Sequence, residues 1–210
     1  MWTVRPIIQT YLSGIDISIY NPNVDLVQAQ QTGLDFVILS VGDDLGPTYN
    51  PYFQDKWQQA YDIGLLRGCY YFVRPELVSP SESITNLLQV VEPLLTDNDP
   101  VFCDVETGSG DLSQWVAEWG DLFKRNLGYK AGFYSAKWFM IPHRLNIEGV
   151  ATQFSTLWLN ETNNHWPDPP DGWQEVKLWQ YQIGTVKGIE GQVDMDCFKG
   201  TKNDWLALNT

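Results

Sequence analysis

The chain has 210 residues, of which 43% are hydrophobic and 19% are charged, and these proportions indicate one globular domain with a large buried core. Its formal net charge of −13 argues against nucleic acid and anionic membranes as partners, because both are bound mainly through basic patches. No apolar run reaches the ~18 residues that a membrane span requires. We therefore predict a monomer whose partner is neither a nucleic acid nor a membrane.

The three cysteines and the N-terminus indicate where the protein is made. Cys69, Cys103 and Cys197 each fall inside an apolar run, which is typical of buried free thiols in a reducing cytoplasm. Residues 1–9 have neither the apolar h-region nor the cleavage site of a secretory signal. We therefore predict cytoplasmic synthesis without a signal peptide, and a single catalytic domain over residues 1–210 in which residues 1–11 are an N-terminal extension.

Short apolar runs alternate with helical patterns along most of the chain. Strands are predicted at residues 12–18, 35–41, 67–73, 100–106, 131–135, 156–159, 176–181 and 192–198. Helical patterns follow the first five strands, whereas loops rich in proline and turn residues separate the last three. Five β-α units and three further strands predict an α/β fold, a single TIM-like barrel of the (β/α)5β3 type.

Local signals predict several helix boundaries. Asn23 is a candidate N-cap for a first helix that ends near residue 31, before Gly33. Ser79 to Glu82 has the pattern of a capping box with proline at the first helical position. A stripe of apolar residues at spacings of three and four precedes Gly128, which predicts a long amphipathic helix ending at that glycine.

Two carboxylates end the fourth predicted strand. Side chains alternate along a strand, so Asp104 and Glu106 are expected to point the same way, with Cα atoms roughly 6–7 Å apart. The run before them is apolar on both faces, as in a buried parallel strand, where an unused charge is costly. Active sites of α/β barrels lie at this carboxyl end. We therefore interpret the pair as catalytic rather than as an N-cap and a solvated loop acid.

Closure of a barrel would bring two further acids, Asp16 from the first strand and Asp194 from the last, to the same mouth. Crowded like charges disfavour joint ionisation, so one acid keeps its proton while a neighbour is charged. Cleavage of a glycosidic bond needs such a pair, because the leaving oxygen is protonated while positive charge develops at the sugar ring. The sequence therefore predicts glycoside hydrolysis.

Other chemistries have weaker support in the sequence. His143 and His165 are not in a zinc-ligand spacing, and no nucleophile-elbow motif supports a Ser-His-Asp triad. Residues 108–110 are too short, and lack the lysine, to form a phosphate loop. Calcium or magnesium at the acids is less favoured, because the acids come from apolar strands and not from a loop with regular ligand spacing. We predict no metal and no cofactor.

Several short motifs occur along the chain in a specific order. They are Gly14-Ile15-Asp16-Ile17-Ser18, Gly68-Cys69-Tyr70-Tyr71-Phe72, Arg74-Pro75, Asp104-Val105-Glu106, Gly132-Phe133-Tyr134, Leu157-Trp158, Trp179-Gln180-Tyr181 and Gly191-Gln192-Val193-Asp194. Together they resemble glycoside hydrolase family 25, the muramidases of the Chalaropsis lysozyme type. The resemblance implies a (β/α)5β3 barrel and cleavage of the β-1,4 bond between N-acetylmuramic acid and N-acetylglucosamine in the glycan strands of bacterial peptidoglycan.

The resemblance also implies roles for individual residues. Glu106 is the proton donor by the family pattern. Asp104 would stabilise either a covalent intermediate or, as the family favours, an oxazolinium formed by the sugar's own acetamido group, while Asp16 and Asp194 would hold the network and the substrate. The candidate substrate-binding residues are Tyr70, Tyr71, Tyr134, Trp158, Trp179 and Gln180.

The chain departs from the family pattern after the second strand. Members usually carry Thr-Glu-Gly there, whereas this chain has Gly42-Asp43-Asp44, so the acidic position is lost or displaced. Without a signal peptide, a wall-cutting enzyme of this kind is expected to be a phage lysin released through a holin or carried in the virion. The alternative is a glycan-binding or phage structural barrel with little or no turnover, which the departure supports.

Overall fold

The computed structural model describes residues 11–45 and 49–209, and the strands in these ranges form one closed barrel in chain order. The strands are β1 (Tyr11–Ile17), β2 (Phe36–Asp43), β3 (Leu66–Phe72), β4 (Val101–Asp104), β5 (Gly132–Ala136), β6 (Leu157–Asn160), β7 (Leu178–Gly184) and β8 (Val193–Lys199). The helices are α1 (Leu26–Gln30), α2 (Phe53–Asp62), α3 (Pro80–Val91), α4 (Ser113–Leu127), α5 (Lys137–Met140), α6 (Glu148–Ala151) and α7 (Lys202–Leu206). The predicted eight-stranded α/β barrel is confirmed.

The direction of β8 determines which strand ends meet. Strands β1 to β7 pair in parallel, whereas β8 is antiparallel to both of its neighbours, β7 and β1. The short β7–β8 connection has no helix to carry the chain back along the barrel, so β8 returns as a hairpin strand. Asp16, near the end of β1, therefore lies opposite Asp194, near the start of β8. We call this end of the barrel the mouth.

Apolar side chains pack on both faces of the sheet. Along β2, Phe36 and Ile38 point into the barrel, while Val37 and Leu39 point out towards the helices. The inner rings need close neighbours without side chains: a Cβ added at Gly14 would lie 2.3 Å from the Phe36 ring. Burial on both faces is the physical reason why the strands read as nearly continuous apolar runs.

The first strand and helix begin elsewhere than predicted. Tyr11 is the first residue of β1 and not part of an extension; the other residues of that predicted extension, 1–10, lie outside the described residues. Helix α1 is capped by Asp25, whose carboxylate accepts from Gln28 N at 3.0 Å. Asn23, the predicted cap, instead donates its side-chain amide to Glu190 at 2.5 Å, so it is committed to the β7–β8 hairpin.

Two other predicted helix boundaries are confirmed, and two short helices, α6 and α7, were not predicted. Ser79 Oγ accepts from Glu82 N at 3.3 Å at the start of α3, and α4 ends at Gly128, which has a φ of 84°. Helix α7 places the Trp205 ring against the rings of Phe36 and Phe198, with centroids 4.6 and 5.3 Å away. Trp205 thereby closes the end of the barrel opposite the mouth.

A buried ion pair ties the start of β3 to the loop before β4. Arg67 donates to Asp99 through Nε at 3.0 Å and through Nη2 at 2.9 Å, and its Nη1 donates to Trp57 O at 3.0 Å. Only 7% and 8% of the two charged side chains are exposed. This bidentate pair compensates charges that would be costly to bury alone.

We expect Asp99→Ala to lower the free energy of unfolding by about 3–5 kcal/mol, because it leaves the Arg67 guanidinium buried and unpaired. Urea denaturation at pH 7 measures this change. The control is Arg125→Ala, which removes an exposed pair with Asp121 and is expected to cost less than about 1 kcal/mol. Equal losses in the two variants would contradict the prediction.

Candidate active site

A cavity of about 220 Å³ opens at the mouth of the barrel. Its lining residues are Asp16, Tyr70, Asp104, Glu106, Tyr134, Trp158, Asn160, Gln180 and Asp194. A wider groove of about 530 Å³ shares Tyr70, Asp104, Glu106 and Asp194 with the cavity and continues past Tyr20, Asp43 and Arg74. The structure thus brings together all four acids that the sequence singled out.

The end of β4 sets the direction of the acidic pair. Asp104 is the last residue of β4, and Glu106 follows two residues later on the same side. Val105 between them is buried in the outer layer; its N–H donates to Tyr134 O at 3.1 Å, and its carbonyl accepts from Ser135 Oγ at 2.7 Å. These bonds to β5 keep the segment extended beyond the strand, so both carboxyls face the cavity.

A chain of hydrogen bonds connects the acids of different strands. Gln180 Nε2 donates to Asp16 Oδ2 at 2.8 Å, and the Tyr134 hydroxyl donates to Gln180 Oε1 at 2.9 Å. Asn160 Nδ2 donates to the Tyr134 hydroxyl at 3.2 Å. That hydroxyl also lies within hydrogen-bonding reach of Glu106. Since it carries one proton, it donates to either Gln180 or Glu106 at a given moment.

Burial and mutual repulsion raise the pKa of each acid in the cavity. Burial raises the pKa of Asp104 well above its usual range, and the charges of Glu106 and Asp16 add to the effect. Burial, followed by Asp194, raises the pKa of Asp16 to about 7. Burial also raises the pKa of Glu106, against the Tyr134 hydrogen bond, which lowers it, and the pKa of Asp194. At neutral pH the cluster therefore holds protons.

Positive charge near these acids is scarce. Among the described residues that line the cavity and the groove, Arg74 is the only cationic one, and its Nη2 is paired with Asp43 Oδ2 at 3.1 Å. Asp44 accepts from the Arg74 backbone N–H at 3.0 Å. Asp43, the last residue of β2, is the acid that lines the groove near the departure from the family pattern. With no cation against the central acids, protons compensate their charge.

Four of the six predicted substrate-binding residues line the cavity: Tyr70, Tyr134, Trp158 and Gln180. Trp158 is only 1% exposed. Its ring packs against Tyr134 and Phe102, with centroids 4.4 and 5.3 Å away. The Trp158 ring is therefore a floor of the cavity and not an open stacking platform.

Tyr71 and Trp179 do not line the cavity, and their assignment to substrate binding is corrected. Tyr71 is fully buried in the outer layer and donates its hydroxyl to Asp43 O at 3.1 Å. Trp179 Nε1 donates to Glu161 O at 2.7 Å. Each residue neighbours one that does point inward, and alternation along the strand places it on the opposite face.

Sequence reasoning missed two polar residues inside the barrel. Asn160 lines the cavity, and Asp196 lies within the barrel, where its Oδ1 accepts from Trp158 Nε1 at 2.8 Å. Both positions were readable from strand alternation, because Asn160 lies two residues after Trp158 and Asp196 lies two residues after Asp194.

Three features outside the acid cluster complete the description. Cys69 and Cys103 are free and buried, as predicted, whereas the free Cys197 is only half-buried. In the described ranges, no group of three or more His, Cys, Asp or Glu residues is placed to hold a metal ion. No helix within residues 11–45 and 49–209 has the length and apolar character needed to cross a bilayer.

A closed barrel with carboxylates gathered at its mouth fits the class of the glycoside hydrolases. The family model of glycosyl hydrolases family 25 matches residues 15–189. YegX, an uncharacterised protein of Escherichia coli K12, is 29% identical over 210 residues, which cover 94% of this chain and 73% of YegX. The chain therefore belongs to glycoside hydrolase family 25 and is a glycoside hydrolase.

Two solved structures are similar over nearly the whole chain. A bacterial lysozyme from Streptomyces coelicolor has a TM-score of 0.84 and 24% identity, covering 94% of this chain and 96% of its own. A muramidase from Trichobolus zukalii has a TM-score of 0.79 and 27% identity, covering 94% of this chain and 98% of its own. The barrel is thus the fold of its family.

The raised pKa of Asp16 predicts a pH dependence of stability. Because its folded-state pKa of about 7 exceeds the ordinary 3.8, the native state binds a proton that the unfolded chain has lost. The contribution of this Asp16 proton to the free energy of unfolding is complete below about pH 4 and disappears as the pH rises to about 7. We expect Asp16→Asn to abolish about 1–3 kcal/mol of the decline in unfolding free energy between pH 5 and pH 7.

Urea denaturation across this pH range measures that difference. Asp55→Asn, which removes an exposed carboxyl of α2 that lines neither the cavity nor the groove, is the control and is expected to follow the wild-type curve. Parallel curves for the wild type and Asp16→Asn would show that Asp16 is ionised at both ends of the range.

Proposed function

We propose that this chain is a peptidoglycan hydrolase, an N-acetylmuramidase that cleaves the β-1,4 bond between N-acetylmuramic acid and N-acetylglucosamine. The observation that carries the proposal is the convergence of Asp16, Asp104, Glu106 and Asp194 in one cavity. A related structure of the same family, that from Trichobolus zukalii, is a muramidase. An open groove beside the cavity gives a polymeric glycan strand access to the acids.

Glu106 is the proton donor in this proposal. It is half-buried and lines both the cavity and the groove, whereas Asp104 is only 3% exposed. Glu106 is therefore the member of the pair that can reach a bound sugar. A substrate that displaces water from Glu106 raises its pKa further, so the proton held by the acid pair shifts to Glu106 and leaves Asp104 ionised.

Bond cleavage then proceeds in two steps. The Glu106 proton moves to the glycosidic oxygen as the bond from that oxygen to the sugar C1 breaks. The carbonyl oxygen of the 2-acetamido group bonds to C1 and forms an oxazolinium, whose positive charge is stabilised by the Asp104 carboxylate. Glu106, now ionised, takes a proton from water, and the hydroxide bonds to C1 as the oxazolinium ring opens. The product keeps its anomeric configuration.

The other cavity residues hold this machinery in place. Gln180 connects Asp16 to Tyr134, and Tyr134 reaches Glu106, so β1, β5 and β7 together orient the acid on the loop after β4. Asp194 stands beside Asp16 at the mouth, where its charge helps to keep its neighbours protonated. Tyr70 and Tyr134, from the two strands that flank β4, line the cavity beside the acid pair.

We expect Glu106→Gln to reduce turnover by about 10²–10⁴-fold, because an amide cannot protonate the leaving oxygen. Release of new muramic-acid reducing ends from purified peptidoglycan measures turnover, and circular dichroism checks the fold. Glu118→Gln, an exposed site on α4, is the matched control with expected wild-type activity. If Glu106→Gln retained most of the rate, another residue would be the donor.

The net charge predicts an unusual dependence on salt. The net charge of −13 repels an anionic cell wall at long range, so raising the ionic strength until the Debye length is about 8–10 Å is expected first to increase the rate. Turbidity clearing of a suspension of Gram-positive walls across a series of salt concentrations measures this rate. A fall in rate from the lowest salt onward would contradict the prediction.

The alternative function, glycan binding or a structural role in a phage with little turnover, is tested by the same assays. Wild-type protein that binds walls without generating reducing ends would favour it. Release through a phage holin or from a virion stays a prediction from the sequence.

A further inference from the structure

Asp196 lies inside the barrel close to the acid cluster. It follows Asp194 by two residues on β8, and its neighbours in register are Gly14 on β1 and Gln180 on β7. Asp196 is 1% exposed, so it does not exchange hydrogen bonds with bulk water.

The two oxygens of Asp196 have different surroundings. Oδ1 accepts from Trp158 Nε1 at 2.8 Å. Oδ2 is buried, and no donor group of the described residues bonds to it. The carboxyl lies within hydrogen-bonding reach of the Asp16 carboxyl, which already accepts from Gln180. Buried polar atoms are rarely left unsatisfied, so the orphan oxygen needs a physical explanation.

A proton between the two carboxyls provides that explanation. No lysine or arginine of the described residues lines the cavity, so two adjacent carboxylates would repel each other in a medium of low dielectric. One proton removes the repulsion and makes Oδ2 a donor. Asp16 and Asp196 each accept one N–H, from Gln180 and Trp158 respectively. Asp196 is the more deeply buried of the two carboxyls, 1% exposed against 6%, and its Oδ2 is the oxygen without a partner, so the proton belongs to Asp196.

We propose that Asp196 is a positioning residue: its protonated carboxyl donates a hydrogen bond to Asp16 from within the barrel and thereby fixes the network that reaches Glu106. Asp16, held on one side by Asp196, accepts from Gln180 on the other. The Gln180 amide then directs its oxygen towards Tyr134 and takes the hydroxyl proton. That proton is consequently withheld from Glu106, and Glu106 retains its own.

The proposal predicts opposite behaviour for two substitutions. Asp196→Asn replaces the proposed O–H by an N–H and keeps an oxygen for Trp158, so it is expected to retain kcat within about threefold. Asp196→Leu removes the donor, frees Gln180 and lets Tyr134 donate to Glu106. We expect kcat to fall about 10–100-fold with little change in KM, and the alkaline limb of the pH profile to move to lower pH.

Other titratable groups that face Asp16 and Asp196 also contribute to the pH profile. These are Asp104 and Glu106 from β4 and the loop after it, Tyr70 from β3, Tyr134 from β5 and Asp194 from β8. The control is Asp99→Asn, a buried carboxyl at the opposite end of the barrel, which is expected to lower stability and leave the pH profile unchanged.

A second measurement detects the proton without relying on catalysis. Infrared difference spectroscopy of wild type against Asp196→Asn at pH 7 is expected to show the C=O stretch of a buried protonated carboxyl, lost in the variant. The infrared measurement depends neither on the substrate nor on whether Asp196→Leu folds. A missing band would therefore contradict this proposal without bearing on the proposed function. The pH profile then tests positioning on whichever glycoside is hydrolysed.

Three results would overturn the proposal. If Asp196→Asn were as impaired as Asp196→Leu, an ionised carboxylate would be required there. If the protonated-carboxyl band were absent from the difference spectrum, Asp196 would not hold the proton. Asp196→Leu with the wild-type rate and pH profile would likewise show that the residue is only a buried neighbour of the site.

Discussion

The chemistry proposed for this protein depends on carboxyl groups that closure of the sheet brings together in a cavity lined by no cationic side chain of the described residues. Asp16, Asp104, Asp194 and Glu106 come from β1, from β4 and the loop after it, and from β8. Their burial costs free energy that an ionised cluster could not recover, so protons take the place of counter-ions. A cavity that keeps protons beside charged groups near neutral pH is prepared for acid-base chemistry.

The antiparallel β8 makes this arrangement possible within an otherwise parallel barrel. A parallel eighth strand would need a long crossover, and it would bring its carboxyl end, with Phe198 and Lys199, to the mouth. As a hairpin strand, β8 instead presents its amino end there, with Asp194 opposite Asp16 and Asp196 two residues deeper. The same turn in the chain therefore supplies one acid at the rim and one inside the barrel.

Side chains from different strands have different positions in the inner polar network. Trp158 from β6 and Asp196 from β8 lie within the barrel, Gln180 and Tyr134 transmit orientation, and only Glu106 and its neighbours meet the groove. This places the group that needs precise orientation on a loop, but holds it by side chains from rigid strands. The fold and the family membership are those of a glycoside hydrolase, and we propose that its acid is oriented from within the barrel.

The amino-acid sequence by itself determined the eight strands, the α/β class and the shared direction of Asp104 and Glu106, because strand alternation and helix periodicity are local properties. Tertiary structure decided what local pattern could not. The outward direction of Tyr71 and Trp179 follows from the register of β3 and β7, since one residue changes the face. Asn23 does not cap α1 as predicted, because its side chain bonds to Glu190, which is distant in the sequence. The surroundings of the Asp196 carboxyl likewise form only when β1, β6, β7 and β8 close around it.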